Sequence, residues 1–239
     1  MGEEIIRIDL DGVNSYLVKS NDSFVLFDTG GPLFKDKYFT DRRDKLQREL
    51  DKAGCKQDNL KLLVLTHGDL DHVYNAAYIR NKYVLSIAIH ANDVLFLENP
   101  TLDMVLGNFQ FNSILSRPIS KMMKHLLKKT SIKQIRNLHK LSPDILLSHN
   151  SDLRKYGLDA TVLHIPGHTM GSVGILFESG NFISGDTFTN QNRPTIAPNA
   201  YDFKELAKSI DVLKEYKIIT VYPGHGKPFS YDILKERKP

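Results

Sequence analysis

Short apolar runs separated by polar breaks open the chain. The runs IIRIDL, NSYLVKS and SFVLFDTGG occupy residues 5–10, 14–20 and 23–31, with Gly, Asn or Asp between them. Each run is rich in β-branched or aromatic residues, which favour strands, while the residues between the runs favour turns. The pattern therefore predicts three antiparallel strands at the start of the chain.

Helical and strand-like patterns then alternate. Residues 37–53 are charged, with Leu46 and Leu50 four positions apart, which predicts a surface helix ended by Gly54. The next elements are predicted to be a buried strand, a short helix and a second strand, over LKLLVL (60–65), AAYIRNKY (76–83) and VLSIAIH (84–90).

The second half of the chain repeats this scheme. Apolar runs predict strands at 160–166, 172–179, 181–186 and 218–228. A helix is expected from about Phe203 to Tyr216. Strands followed by a helix, twice over, predict a layered α/β or α+β sandwich.

A basic stretch from about 99 to 142 interrupts this order. Apolar residues recur there at helical spacing between lysines, at Ile119, Met122, Met123, Leu126 and Leu127. Eight Lys or Arg and no Asp or Glu lie between Met104 and Pro143, which leaves 24 basic and 28 acidic residues for the rest of the chain. We therefore expect one or more basic amphipathic helices inserted in a mildly acidic scaffold.

Two roles are compatible with this insertion. A charged amphipathic helix is most often a solvated surface, but it could also cap a cleft, with an apolar wall made of Met122, Met123, Leu126 and Phe111. Its lysines would then attract a small anionic substrate or a membrane surface. Nucleic acid is not favoured, because aromatic residues do not alternate with the basic ones. The pattern predicts no particular oligomeric state.

The single cysteine, Cys55, limits the possible metal chemistry. It excludes an internal disulfide and a thiolate zinc cage, so imidazole and carboxylate groups would have to hold any metal ion. The opening stretch MGEEIIRIDLDG has acidic residues where a signal peptide has basic ones, and no apolar run approaches the roughly 18 residues that span a bilayer. The expected location is the cytoplasm.

Four short stretches place His or Asp where a strand-like run ends, close to Gly or Pro. They are THGDLDH (66–72), PGHTMGS (166–172), SGDT (184–187) and PGHG (223–226). Together they supply seven candidate metal ligands, namely His67, Asp69, Asp71, His72, His168, Asp186 and His225. Such a set is sufficient for two divalent cations with a carboxylate between them. Neighbouring glycines would let the ligand loops turn tightly and approach the site.

The order of these motifs resembles that of the metallo-β-lactamase-fold hydrolase superfamily. The shared signatures are H-x-[H]-x-D-H, P-G-H-T-x-G-S, G-D-T and G-H-G-x-P, with Asp28-Thr29-Gly30 after the third strand, and the match extends over residues 5–228. The resemblance implies a four-layer αββα sandwich of two mixed β-sheets, with the metal site along one edge. It implies a single domain over residues 1–239, with the basic helical insertion at about 99–142 as a cap.

The resemblance also implies a role for each candidate residue. The implied ligands are His67 and His168, with whatever position 69 provides, for one cation, Asp71, His72 and His225 for the other, and Asp186 as the bridge between them. Asp28 would lie behind these ligands and orient them through hydrogen bonds. The implied cofactors are two divalent metal ions, with zinc as the expected ion.

Asp69 departs from the family pattern, which usually has a second His at this position. The exchange adds a negative charge and favours harder cations, so Mn²⁺ or Fe²⁺ are alternatives to zinc. Either Asp69 binds the metal directly, which we favour, or it only holds a water and leaves the first cation weakly bound.

The predicted activity is that of a dinuclear metal-dependent hydrolase. A metal-bound hydroxide would attack an ester, lactone, thioester or phosphodiester, and Asp71 would orient it or carry a proton. Lactonase specificity is not favoured, because the lactonases have Tyr three positions after the bridging Asp, where this chain has Thr189. The alternatives are iron-dependent redox chemistry of the flavodiiron or persulfide-dioxygenase type, and a binding protein that has lost activity.

Overall fold

A computed structural model describes residues 3–34, 36, 39–111 and 117–235. Its strands, in chain order, are β1 (Glu4–Asp9), β2 (Asn14–Ser20), β3 (Ser23–Phe27), β4 (Leu60–Val64), β5 (Ser86–His90), β6 (Gln110–Phe111), β7 (Ile145–Leu147), β8 (Ala160–His164), β9 (Val173–Phe177), β10 (Asn181–Asn190), β11 (Thr195–Ile196), β12 (Asn199–Ala200), β13 (Thr220–Gly226) and β14 (Phe229–Ser230). Its helices are α1 (Arg43–Lys52), α2 (Leu70–Val73), α3 (Ala76–Tyr83), α4 (Val94–Glu98), α5 (Leu102–Gly107), α6 (Arg117–Asn137), α7 (Phe203–Leu213) and α8 (Asp232–Lys235).

Most of these strands form two mixed β-sheets. The first sheet has the order β1-β2-β3-β4-β5-β7, in which the first three strands are antiparallel, as predicted, and the last four are parallel. The second has the order β14-β13-β10-β9-β8 with β11 beside β10, and its β10 and β13 are parallel. Because parallel strands end at the same edge of a sheet, the loops after β4 and β5 lie side by side.

The side chains of β4 show how the layers pack. Leu62 and Val64 face the second sheet, where they join a core that includes Val162 and Ile175. The alternate residue Leu63 faces the helices and packs in a second core with residues of α1 and α3. Apart from the exposed Lys61, the strand is buried on both faces, which explains why LKLLVL is otherwise apolar.

A third core closes the other side of the sandwich. Phe182 of β10 and Val221 of β13 pack there against Leu213 of α7. The layers are therefore helix, sheet, sheet and helix, so the predicted four-layer αββα sandwich of two mixed sheets is confirmed. None of the helices in the described ranges is long and apolar enough to cross a membrane.

The first surface helix starts later than the sequence pattern predicts. Helix α1 begins at Arg43, whereas residues 37 and 38 lie outside the described part of the chain. Arg42 interrupts the helical pattern with a φ of 63° and pairs with Asp36 at 2.9 Å. The predicted end is confirmed, because Gly54 follows the helix with a φ of 82°.

The insertion contains α5, β6 and α6, and its short strand was not predicted. Strand β6 pairs with β12, which brings the insertion to the loop that follows β10. In α6, Leu127, Ser131 and Gln134 are buried, whereas Met122 and Leu126 lie on the solvent side. These two residues therefore form no closed apolar wall. The side chains of Phe111 and Ile119 lie outside the described residues.

Candidate metal centre

The seven predicted ligands come from four loops and strand ends in both sheets. The stretch THGDLDH follows β4, and its second half forms α2. His168 lies between β8 and β9, Asp186 lies in β10, and His225 lies in the neighbouring β13. The fold brings all seven together, although Asp71 and His225 are far apart in the sequence.

The ligand atoms form the two predicted sets. The nitrogen and oxygen atoms of His67, Asp69 and His168 lie within 4.8 Å of one another. Those of Asp71, His72 and His225 form a second group within the same distance. In the first group, Asp69 Oδ2 is 3.0 Å from His168 Nε2 and 3.8 Å from His67 Nε2. Asp69 is thus oriented toward the centre rather than away from it.

Asp186 lies between the two groups. Its Oδ1 is 3.3 Å from His72 Nε2, and its Oδ2 is 3.1 Å from His225 Nε2. The same Oδ2 is 3.7 Å from His168 Nε2 and 4.0 Å from His67 Nε2. One carboxylate is therefore surrounded by all four imidazoles, which is the position that a bridging ligand requires.

Hydrogen bonds on the far side of each ring give the four imidazoles the same orientation. The partners of the Nδ1 atoms are Thr66 Oγ1 for His67, Asp28 Oδ2 for His72, the Asn199 carbonyl for His168 and the Gly12 carbonyl for His225. The carboxylate or carbonyl acceptors of His72, His168 and His225 favour a proton on Nδ1 and leave the Nε2 lone pair for a metal ion. The Thr66 hydroxyl acts in the same way on His67, because it donates its own proton to Asp28 Oδ2. All four rings therefore present Nε2 to the centre.

Unpartnered buried atoms support the same conclusion. Among the described residues, His67 Nε2 and Asp186 Oδ1 are buried without a hydrogen-bond partner. Buried polar atoms usually have a partner, and unlike the other unpartnered atoms of the described residues these two belong to the ligand sets, where a cation would satisfy them. A donor set of four imidazoles and three carboxylates, with no thiolate, fits divalent cations such as zinc, manganese or iron.

Asp28 lies behind the ligands, as the sequence predicts. It accepts hydrogen bonds from the backbone and hydroxyl of Thr66, both at 2.8 Å, and contacts His72 Nδ1 at 2.9 Å. Its φ of 59° is in the left-handed region, an uncommon conformation that the surrounding hydrogen bonds hold in place. Asp28 thereby fixes both the loop after β4 and one ligand.

Burial and neighbouring charges shift the pKa of every imidazole in the centre. Burial, with the neighbouring His72, lowers the pKa of His67 well below its usual range. Burial opposes protonation of His168 and His225 too, but nearby carboxylates outweigh it and raise the pKa values to about 9 and about 10. For Asp186, burial opposes ionisation, yet His225 and His72 hold its pKa well below the usual range. The Asp186 carboxylate is thus kept ionised.

Two residues that the motifs did not single out support the ligand loops. Asp93 is buried after β5 and accepts hydrogen bonds from Gly68, Thr169 and Gly171 at 2.6–2.9 Å. Burial raises its pKa to about 6, although these donors act in the opposite direction. Asp93 follows the strand beside β4, so its place at the same sheet edge could have indicated this position.

Asn108 is the second missed residue. Its Nδ2 donates to Asp69 Oδ1 at 2.5 Å, and its side chain comes from the insertion. No spacing signal connects a single Asn to a ligand 39 positions away.

Two of the five histidines outside the ligand sets, His90 and His164, stack on each other with their ring centroids 3.9 Å apart.

The sequence of this chain matches the model of a known protein family. The model of the metallo-β-lactamase superfamily matches residues 8–225, which include all the candidate ligands. The chain belongs to the metallo-β-lactamase superfamily. This superfamily of metallo-hydrolases is the one that the sequence motifs resemble, so that prediction is confirmed.

Two relatives and one solved structure are similar to this chain over most of its length. It is 27% identical over 195 residues to the "Probable metallo-hydrolase MJ0888" of Methanocaldococcus jannaschii, covering 78% of this chain and 81% of the relative. It is 26% identical over 187 residues to the hydroxyacylglutathione hydrolase GloC of Haemophilus influenzae, covering 75% and 74%. The crystal structure of TTHA1623 in a di-iron-bound form shares the fold, with a TM-score of 0.65 and 22% identity over 99% of this chain and 98% of that one.

Proposed function

We propose that this superfamily member is a dinuclear metal-dependent hydrolase that cleaves a thioester or ester bond in a small anionic substrate. The observation that supports this most directly is the pair of ligand sets facing each other across Asp186. His67, Asp69 and His168 would hold one divalent cation, and Asp71, His72 and His225 the other. We infer zinc as the preferred ion, because imidazole nitrogens are the majority of the donors.

When bound, the two cations would supply hydroxide from water near neutral pH and polarise the scissile carbonyl. The protein side chains determine from where the substrate approaches. Asp69, Asp71 and Asp186 keep 13–15% of their surface exposed, whereas His67, His72 and His168 keep at most 2%. His225 is 13% exposed, like the carboxylates, so the substrate would meet the centre from the side of the three carboxylates and His225, with the other three imidazoles behind.

Asp71 has the position of a residue that handles a proton. Its Oδ2 lies 3.4 Å from His225 Nε2, and the bond to His225 helps to lower the pKa of Asp71 although burial acts to raise it. An ionised carboxylate at the accessible side can orient an attacking water with its other oxygen and accept the proton.

The relatives bear on which bond is cleaved. The similarity to a hydroxyacylglutathione hydrolase supports a thioester, while esters, lactones and phosphodiesters are alternatives within the same chemistry. A lactone is the least supported, because Thr189 occupies the position of the lactonase Tyr and its hydroxyl bonds the backbone of His225 at 3.3 Å.

The test combines metal analysis with kinetics on the full chain. Elemental analysis of protein purified without added metal or chelator should give about two divalent ions per chain. A panel of a hydroxyacyl-glutathione thioester, an aryl ester, a lactone and an aryl phosphodiester should then show highest kcat/KM for the thioester. Asp71→Ala should lower that value at least about 100-fold, the usual effect of losing a general acid–base group.

Asp58→Asn is the matched control, because this exposed carboxylate lies on the surface before β4. It should retain wild-type turnover. Full activity in Asp71→Ala would contradict the mechanism, and turnover equal to a metal-stripped control on all four substrates would contradict hydrolase activity itself.

Asp69 favours one alternative, an iron-dependent oxidoreductase. A carboxylate beside His67 and His168 makes the first set suitable for iron, and the fold is shared with a protein whose structure was solved in a di-iron form. Mainly iron in the elemental analysis, with substrate-dependent oxygen uptake and no hydrolysis, would favour this alternative over the hydrolase.

For the solvent side of α6 we propose contact with an anionic membrane surface. Lys121, Lys128, Lys129, Lys133 and Arg136 are exposed there beside the apolar Met122 and Leu126, which are 56% and 62% exposed. Lys133 also contacts this chain itself, because its Nζ lies 4.2 Å from the centroid of the Phe39 ring. A basic surface with a few apolar side chains is suited to peripheral binding of anionic lipids.

A further inference from the structure

The two oxygens of Asp69 have different partners. Oδ2 lies 3.0 Å from His168 Nε2 and 3.8 Å from His67 Nε2, whereas Oδ1 accepts a hydrogen bond from Asn108 Nδ2 at 2.5 Å. One oxygen is therefore available to the centre, and the other is held by an uncharged donor. An amide donor stabilises the ionised carboxylate without adding a positive charge that would compete with a cation.

Asn108 is itself firmly placed. It is 1% exposed and caps the end of α5, two residues before β6 begins. Its carbonyl accepts a hydrogen bond from Asn199 Nδ2 at 3.2 Å, and the Asn199 carbonyl contacts His168 Nδ1 at 3.1 Å. Asn108 thus connects to the first ligand set on two sides, directly through Asp69 and through Asn199 to His168.

We propose that Asn108 is the positioning residue that makes Asp69 a metal ligand. Aspartate is shorter than the histidine that the superfamily usually has at this position, so its orientation has to be fixed by a neighbour. By holding Oδ1, Asn108 turns Oδ2 toward His67 and His168. The insertion therefore contributes to the metal centre itself. This inference rests on the proposed metal-binding function.

Metal affinity tests the inference without relying on activity. Metal-stripped protein is titrated with Zn²⁺ in competition with a chromogenic chelator, and with Co²⁺ while its visible absorption bands are recorded. Asn108→Ala should weaken one of the two binding events about 10–100-fold, the usual effect of losing an outer partner of a ligand, and change the Co²⁺ bands of that event alone. The other event should keep the wild-type affinity.

A double-mutant cycle separates positioning from general packing. In an Asp69→Ala background, Asn108→Ala should cause no further loss of affinity, because the carboxylate that it orients is absent. Gln110→Ala is the matched control, since this exposed amide lies in the same insertion and bonds only the backbone of Gly107 and Tyr201 among the described residues. It should bind both ions as the wild type does.

Asn108→Asp provides a second variant of nearly the same shape if the alanine variant does not fold. It removes the donor and sets a second carboxylate against Asp69, so the same binding event should weaken. Unchanged affinity in a folded Asn108 variant would overturn the inference but not the proposed function. Equal weakening of both events, with or without Asp69, would also overturn it. A wild-type protein that binds no Zn²⁺ would overturn both proposals.

Discussion

Thr66 serves two partners in the metal centre with one hydroxyl. Its Oγ1 donates to Asp28 Oδ2 at 2.8 Å, so its lone pair is directed to His67 Nδ1 at 2.9 Å. The Nδ1–H of His67 therefore donates to this hydroxyl, which leaves Nε2 for the centre. The buried His67 ring is thereby held by a neighbour in the sequence rather than by a distant carboxylate.

We expect Thr66→Val to weaken metal binding about 10–100-fold while the fold persists. Valine has nearly the shape of threonine, but it leaves His67 Nδ1 without an acceptor, and an unsatisfied buried donor costs about 1–3 kcal/mol. Chelator competition would measure the affinity, and urea unfolding of the metal-free protein would measure the stability. Thr161→Val, at a half-buried position in β8, is the control, and equal affinities for both variants would show that the Thr66 hydroxyl does not act on the ligand.

At the scale of elements, Asp93 joins the first two ligand loops. Its Oδ2 accepts from the backbone of Gly68 at 2.8 Å and from Thr169 Oγ1 at 2.6 Å, and its Oδ1 accepts from Gly171 at 2.9 Å. A Cβ on Gly171 would lie 2.5 Å from the Asp93 carboxyl carbon, so only glycine permits this approach. The loops after β4 and β8 are thus held together by one carboxylate.

Asp93→Asn should lower the free energy of unfolding by about 2 kcal/mol. The amide group of asparagine has one acceptor oxygen, so at least one of the three donors would face an NH₂ group instead. Urea unfolding of the metal-stripped variant measures the change. Asp159→Asn, which alters an exposed carboxylate before β8, should have the wild-type stability, and the same result for Asp93→Asn would show that the bridge is dispensable.

The basic face of α6 leads to a prediction about vesicles. The full chain should sediment with vesicles that contain phosphatidylserine and not with pure phosphatidylcholine, and added salt should release it. Lys128→Gln with Lys129→Gln should lower the partition coefficient about tenfold or more, because each basic residue near an anionic surface contributes about 1 kcal/mol.

Lys19→Gln with Lys56→Gln is the control for this face, since it removes the same charge from exposed positions outside the insertion. An equal loss in both double variants would mean that overall charge, and not α6, governs binding. Binding to a single-stranded RNA homopolymer without binding to either vesicle would replace the membrane proposal with a nucleic-acid partner.

The candidate metal centre joins the two sheets. Four candidate ligands follow β4 of the first sheet, and His168, Asp186 and His225 belong to the second. A cation held by both groups would stabilise the packing of one sheet on the other, because it binds only when both are in place.

Removal of metal should therefore lower the thermal midpoint of the whole protein by about 10 °C. The estimate follows from a stabilisation of about 4 kcal/mol at a metal concentration 1,000 times Kd, and from about 2–4 °C per kcal/mol for a chain of this size. Differential scanning calorimetry with and without a chelator measures it. In Asp186→Ala the chelator should shift the thermal midpoint much less than in the wild type. If the wild type has the same midpoint with and without the chelator, metal binding is not coupled to the stability of the fold.

The sequence predicted the sandwich and the seven candidate ligands because both depend on local patterns. LKLLVL has the apolar continuity of a doubly buried strand, and Asp69 or His225 follows such a run beside a glycine. The start of α1 could not be predicted, since the left-handed Arg42 is held by Asp36 and backbone carbonyls and not by helix propensity.

The residues that hydrogen-bond to the candidate ligands could not be predicted from the sequence either. Asn108, Asn199 and Gly12 reach the centre through contacts between distant loops, and none of them lies in a periodic pattern or a recognisable motif. The pairing of β6 with β12, which brings Asn108 close to Asp69, depends on how the insertion folds back over the sandwich. Such contacts are properties of the tertiary structure.

The separation of the ligands along the chain has a consequence for how the protein is made. His225 follows His72 by 153 positions. At a synthesis rate of roughly 5–20 residues per second, the ribosome would add His225 about 8–30 seconds after His72. A cation that meets the nascent chain would find only an incomplete set of donors. Metal loading would then be completed only after synthesis, and the ion pool around the finished protein would decide which metal it carries.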